Sequence, residues 1–183
     1  MLKSVSVIVA ILLVVSFAAV AQESANSARA EIFGGYQFSR YNSGVSGISG
    51  FNLNGWNAAV SGYINQYFGV TADFGGSYGT PKVAGVGVST HLHTFLFGPV
   101  VRAPLAKLTP FAHALFGGGH ISGEVGGVSA SETDFTWAAG GGVDVNLSPH
   151  FGLRLAQADF LQTRVLNRTQ NNFRYSAGIV LRF

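Results

Sequence analysis

The sequence predicts an all-β chain: an eight-stranded antiparallel up-and-down transmembrane β-barrel preceded by a cleaved signal peptide. Three observations carry that prediction. Residues 1–21 form an apolar leader closed by small residues, the rest of the chain alternates in polarity along short segments, and the connections between those segments alternate long and short.

The leader comes first along the chain. Lys3 gives it a positive start, "VSVIVAILLVVSF" an apolar run, and Ala19, Val20 and Ala21 the small residues that a signal peptidase accepts. An uncleaved anchor is the competing reading, but the apolar run falls short of the roughly 20 residues that a spanning helix needs. The division that follows is a signal peptide at 1–21, a short lead at 22–30 and one barrel domain at 31–183. Cysteine is absent, which excludes disulfides, thiol chemistry and a lipid anchor on a cysteine behind the leader.

Composition points the same way. The chain holds 25 glycines and 15 phenylalanines, and only 10% of its residues are charged, where a soluble domain carries about 25%. A chain so short of charge has surface that does not face water. The net charge is +3 with no cluster of lysine or arginine, so nucleic acid is not an expected partner.

Eight segments read as strands: 31–41, 53–64, 67–79, 89–102, 110–121, 132–147, 151–162 and 173–183. Successive side chains on a strand point to opposite faces. In 67–79, Phe68, Val70, Ala72, Phe74 and Tyr78 share one face, against Thr71, Asp73, Gly75 and Ser77. In 132–147, Phe135, Trp137, Ala139, Val143, Val145 and Leu147 oppose Thr136, Gly140, Asp144 and Asn146. The last segment, "FRYSAGIVLRF", sets Phe173, Tyr175, Ala177, Ile179, Leu181 and Phe183 against Arg174, Ser176, Gly178, Val180 and Arg182. Apolar outside and small or polar inside is the arrangement expected when the outer solvent is lipid. Arg154 and Asp159 in 151–162 have opposite parity, so a β-bulge is required if both point inward. The faces of 89–102 and 110–121 stay unassigned.

The connections run 42–52, 65–66, 80–88, 103–109, 122–131, 148–150 and 163–172. The longer ones alternate with tighter ones, so an up-and-down sheet collects the long loops at one end and the turns at the other. Outer-membrane barrels have this asymmetry, with short periplasmic turns and longer external loops. An even strand number then puts both termini in the periplasm.

The stretches "GWNAAVSGYINQYFGVTADFGGSYG", "HTFLFGPVVRAPLAKLTPFAHALFGGG", "FTWAAGGGVDVNLSPHFGLRLAQADFLQTR" and "FRYSAGIVLRF" together resemble the OmpA/OmpX-type outer-membrane β-barrel family. The resemblance implies a bacterial outer-membrane location, lipid as the surrounding partner, and insertion by the barrel-assembly machinery. That machinery recognises a final strand ending in an aromatic residue, a role that falls here to Tyr175, Ile179, Leu181 and Phe183. Full-length OmpA carries a periplasmic peptidoglycan-binding domain after its last strand, and nothing matching it follows here, so tethering to the cell wall is not implied.

Asp73, Asp144, Arg174 and Arg182 fall on the inner parity and form the predicted polar network of the lumen, with Arg102, Arg154 and Asp159 as further candidates. Eight strands enclose a space that side chains fill, so a plug is expected in preference to a pore. The glycine runs at 117–119 and 140–142 lack the following helix that a phosphate-binding loop needs and read as places where strands bend and pack. His91 and His93 share a face, but a zinc site needs three or four ligands and no metal is expected. In "GHISGE", His120 and Ser122, with Asp134 on the next strand, faintly resemble the lipid A deacylase barrels. The Asn-Ala-Gly that follows that family's serine is missing, so no catalytic residue is assigned. No cofactor is expected, and the loops "SGVSGISGF", "TPKVAGVGV", "SGEVGGVSAS" and "TRVLNRTQNN" name no external partner. The expectation is a non-enzymatic outer-membrane protein with a structural or surface-display role. The alternatives are an exported lipocalin-like ligand-binding barrel, with apolar side chains inside and charged ones outside, and a deacylase-like enzyme.

Overall fold

A computed structural model describes residues 29–41, 50–83, 86–125, 128–165 and 168–183. The signal peptide at 1–21 and most of the lead at 22–30 lie outside the described residues, as does most of the first long loop. The strands are β1 (Ala30–Tyr41), β2 (Phe51–Tyr63), β3 (Phe68–Gly79), β4 (Lys82–Val83), β5 (Val86–Gly87), β6 (Ser89–Arg102), β7 (Leu108–Val125), β8 (Val128–Asn146), β9 (Phe151–Val165) and β10 (Arg168–Arg182). Eight of them close into a barrel in the order β1-β10-β9-β8-β7-β6-β3-β2, while β4 and β5 pair only with each other inside the connection after β3. Every barrel pair is antiparallel, and the seam runs from Glu31↔Arg182 to Arg40↔Phe173. Closure leaves no row of unpaired backbone groups to face lipid, where each would cost several kcal/mol.

Three tight turns gather at one end. Asn65 Oδ1 accepts from the backbone N–H groups of Tyr67 and Phe68, both at 2.8 Å, which fixes the turn from β2 to β3. Leu105 N–H donates to the Leu108 carbonyl at 2.8 Å, and Ser148 Oγ accepts from Phe151 N–H at 3.1 Å. By the rule for outer-membrane barrels this end lies in the periplasm.

At the other end the segments expected as the loops 122–131 and 163–172 are mostly strand. β7 pairs with β8 as far as Val125↔Val128, and β9 with β10 as far as Val165↔Arg168. Beyond the hydrocarbon an outer apolar face is no longer needed, so a ladder continues on residues such as Ser129, Ser131, Asn171 and Asn172, whose polarity hides the strand.

The wall is greasy outside. Phe95, Phe97 and Phe135 are 58%, 59% and 60% exposed, and Tyr36, Trp56, Phe74, Tyr78, Phe116, Phe173 and Tyr175 stand out with them. This overturns the lipocalin-like alternative, which needs charge on that surface. The two undecided strands now have sides: Thr90, Leu92, Thr94, Leu96, Val100 and Arg102 of β6 and Thr109 and Leu115 of β7 are buried in the lumen, while His91, Phe95, Phe97 and Phe116 face out. The register of β9 shifts at Leu155 and Ala156, which both face outward opposite a single position on β8. This is the bulge that Arg154 and Asp159 require, and both are buried inside.

Candidate functional site

Alternation hands the lumen one residue in two, and the buried set falls into two storeys. Nearer the turns lies an ionic layer. Glu31 Oε1 accepts from Arg182 Nε at 2.8 Å and from Arg102 Nη1, while Glu31 Oε2 takes the Tyr63 hydroxyl at 3.0 Å. Both oxygens of Asp144 accept from one edge of Arg154, Nε at 2.8 Å and Nη2 at 3.2 Å. The Arg154 guanidinium lies between the Phe33 and Phe111 rings, 4.3 and 4.0 Å from their centroids. Flat cations stack on ring faces in this way, so the layer is packed as well as paired.

Gln157 joins this layer to a second ionic cluster. Its carbonyl accepts from Arg154 Nη1 at 2.8 Å and its amide donates to Asp159 Oδ2 at 2.8 Å. Arg174, 1% exposed, then spans the lumen from Asp159 Oδ2 at 2.8 Å to Asp73 Oδ1 at 2.6 Å. His113 Nε2 lies 2.8 Å from Asp159 Oδ1, and Asn57 donates to Asp73 Oδ2 at 2.9 Å. Burying ions is tolerable only when each is paired and hydrogen-bonded; a chain of hydrogen bonds meets that condition from Asp144 to Asp73, and Glu31 has its own donors in Arg102, Arg182 and Tyr63.

Above it, toward the external end, Tyr41, Leu53, Leu92, Leu96, Leu115, Ala138 and Leu161 form an apolar layer across the lumen. A cleft of about 20 Å³ sits over that layer, lined by Thr90, Ile121, Glu132, Asp134 and Thr136 among others. A second cavity of about 10 Å³ lies among Thr71, Asp73, His113, Arg154 and Gln157. Each holds about one water-sized group, which requires on the order of 10–15 Å³. A wider basin of about 560 Å³ opens at the turn end, over Arg102, Thr109, Asn146 and Arg182.

Of the four residues expected in the lumen, Asp73 and Arg174 are brought together directly, while Arg182 reaches Asp144 only at 3.5 Å and bonds to Glu31 instead. Arg102, Arg154 and Asp159 also lie inside. Reading the sequence missed Glu31, although its parity with Phe33, Gln37 and Ser39 on β1 was available. It missed the apolar layer as well, because leucines inside the barrel carry the same letters as leucines outside. Tyr175, Ile179 and Leu181 form an exposed row on the outer face of β10 beside the seam, and Phe183 stands exposed just past its end.

The hydrolase-like set is not brought together. His120 and Ser122 occupy the outer parity, where His120 Nδ1 lies 2.7 Å from Thr133 Oγ1. Asp134 pairs with Gly119 in register and lines the cleft inside, so the wall separates it from both. His91 and His93 stand edge-on to Tyr78 at 5.5 and 5.6 Å between ring centroids. Among the described residues no group of three or more His, Asp or Glu side chains is placed to hold a metal. The glycine run at 140–142 packs against neighbouring backbone, and a methyl group on Gly140 would meet Asp159 Oδ1 and the Ala158 carbonyl.

The profile of a family described as "Outer membrane protein beta-barrel domain" matches residues 7–183. Among solved structures, Ail, the attachment invasion locus protein of Yersinia pestis, is 21% identical with a TM-score of 0.63, over 86% of this chain and 100% of that one. Neisserial surface protein A is 13% identical with a TM-score of 0.71, over 87% and 100%. The N-terminal β-barrel domain of Pseudomonas aeruginosa OprF is 12% identical with a TM-score of 0.57, over 86% and 100%. No curated protein sequence matches the chain.

Proposed function

This chain belongs to the outer membrane protein beta-barrel domain family and lies in the bacterial outer membrane, and from that premise we propose that it is a non-enzymatic barrel with a structural and surface-display role. It closes its own lumen and carries paired hairpins beyond the outer face of the membrane. The filled lumen is the observation that carries this reading: an ionic network topped by an apolar layer, with internal cavities of only about 20 and 10 Å³. The β7–β8 and β9–β10 ladders support it further by holding their ends up as ordered strand pairs.

In this reading Tyr175, Ile179, Leu181 and Phe183 are the feature that the barrel-assembly machinery engages, since they lie on the outer face and at the end of the strand that makes the final pairing with β1. The separation of Asp134 from His120 and Ser122 speaks against acyl hydrolysis on the outer wall.

The chain has no cysteine, so a single Ser131→Cys variant gives a clean test. Labelling of intact cells by a membrane-impermeant maleimide is expected, together with a heat-dependent gel shift, no stepwise conductance in planar bilayers and no fatty acid released from lipid A. Labelling only after cell lysis would refute surface display. Steady conductance or acyl release would refute the closed, non-enzymatic barrel.

A further inference from the structure

The basin at the turn end carries arginine but no carboxylate in its lining. Its lining comprises Gln66, Arg102, Pro104, Ala106, Thr109, Asn146, Leu147, Ser148, Pro149 and Arg182, and no Asp or Glu is among them. Beneath it, the guanidinium groups of Arg102, Arg154 and Arg182 share the carboxylates of Glu31 and Asp144. Arg154 takes both oxygens of Asp144, and one oxygen of Glu31 serves Arg102 and Arg182 together. What remains for Arg182 is Asp144 Oδ2 at 3.5 Å, too long for a hydrogen bond. Arg182 is only 6% exposed, and its Nη2 has no hydrogen-bond partner among the described residues. Its Nη2 keeps only that long ion-pair contact to Asp144, and Arg182 lines an open basin whose lining holds no carboxylate.

The opposite balance lies deeper. Asp73 and Asp159 face the one guanidinium of Arg174, with His113 beside Asp159. Gln157 links the two clusters. The guanidinium excess is therefore offset on the buried side and open on the basin side, where Lys107 sits exposed in the bounding turn.

We propose that this basin is a binding site for a small oxyanion, a carboxylate or a phosphate, held by the Arg182 and Arg102 side chains that line it and by hydroxyl and amide donors from Ser148 and Asn146. The planar fork of arginine suits both anions. The site stands apart from the surface-display reading; only its assignment to the periplasmic side uses the orientation of the turns.

The test uses protein purified from outer membranes into maltoside micelles, which carry no phosphate, at low salt. Inorganic phosphate and acetate are titrated separately by calorimetry into the wild type, Arg182→Gln and Asn146→Asp, each first checked for the heat-dependent gel shift. Saturable binding of at least one anion is expected, and the tighter one identifies the class. Arg182→Gln should weaken it by about tenfold or more, the loss of a charge-assisted hydrogen bond. Asn146→Asp should abolish it while raising the melting temperature, because it supplies the missing counter-charge. This second variant keeps the proposal testable should Arg182→Gln fail to fold. Absence of saturable binding in folded wild type, or binding unchanged in the variants that fold, would overturn the site.

Discussion

Arg174→Leu is the most severe single change that the lumen offers. The guanidinium is 1% exposed and holds Asp73 at 2.6 Å and Asp159 at 2.8 Å. Removing one member of a buried ion pair costs about 3–5 kcal/mol, because the other is left charged and uncompensated. Here two carboxylates are orphaned, but not equally. Asp159 keeps His113 and Gln157, each at 2.8 Å, whereas Asp73 keeps Asn57 at 2.9 Å. Each orphan also has a limit: taking up a proton at pH 7, from an ordinary carboxyl pKa of about 3.9, costs about 4 kcal/mol. Asp73 then bears close to that limit and Asp159 a fraction of it, for a total of about 4–6 kcal/mol.

Urea unfolding in micelles measures this loss, read as the decay of the compact band on an unboiled gel and checked by the fluorescence of Trp56 and Trp137. A loss under about 1 kcal/mol would refute the argument, since it would mean that water reaches the carboxylates and the lumen is not a dry plug. A second arm separates charge from packing. In the Arg174→Leu background, Asp73→Asn with Asp159→Asn should recover most of the stability, because replacing a whole buried ion cluster is often close to neutral. No recovery in that triple variant would assign the loss to shape alone.

Asp144→Ala leaves Arg154 stacked between Phe33 and Phe111 but without its carboxylate, and should lower stability by about 3 kcal/mol, the low end for a broken buried pair; an unchanged melting transition in detergent would contradict this. Gly140→Ala drives a methyl group into Asp159 Oδ1 and the Ala158 carbonyl, so it should cost about 1–3 kcal/mol, measurable by the same urea titration; a neutral result would show that Asp159 has room to shift. Phe183→Ser changes an exposed residue at the barrel rim and should leave the unfolding midpoint of purified protein almost unmoved, while the amount assembled in the outer membrane falls several-fold. Equal yields of variant and wild type would remove the terminal aromatic from the assembly role.

The architecture was readable where a strand has one apolar and one polar face. β3, β8 and β10 show this, and their sides in the barrel follow from parity alone. β6 defeated the same logic because Leu92, Leu96 and Val100 point inward while Phe95, Phe97 and Val101 point outward, so both faces are apolar. The inner leucines belong to a layer whose members come from six different strands and meet only when the barrel closes. The bulge was legible as a conflict between Arg154 and Asp159, since a charge facing lipid is far costlier than an extra residue in a strand. The outer ends of β7 to β10 were not, because hydrophobic alternation marks where lipid lies, and a ladder can outlast it. Glu31 and Arg182 show a further limit. They are neighbours across the seam, so their contact is a property of the closed ring.

Every Asp and Glu with a described side chain, namely Glu31, Asp73, Glu132, Asp134, Asp144 and Asp159, is either buried in the lumen or lines its mouth. The small share of charged residues follows from this, because a barrel wall in lipid offers charge no place except inside. The two mouths of the lumen also differ in the sign of the charges that line them. Glu132 and Asp134 line the external cleft, and Arg102 and Arg182 line the basin at the other end. An ion attracted at one mouth is thus met by like charge at the other, with the leucine layer and the Arg174 bridge between. Even a lumen loosened by substitution would keep that opposition. Widening the apolar layer, as by Leu161→Ala, should therefore open a cavity and cost about 2–5 kcal/mol in stability without giving measurable conductance; current through that variant in a planar bilayer would show that packing alone, and not the order of charges, keeps the barrel closed.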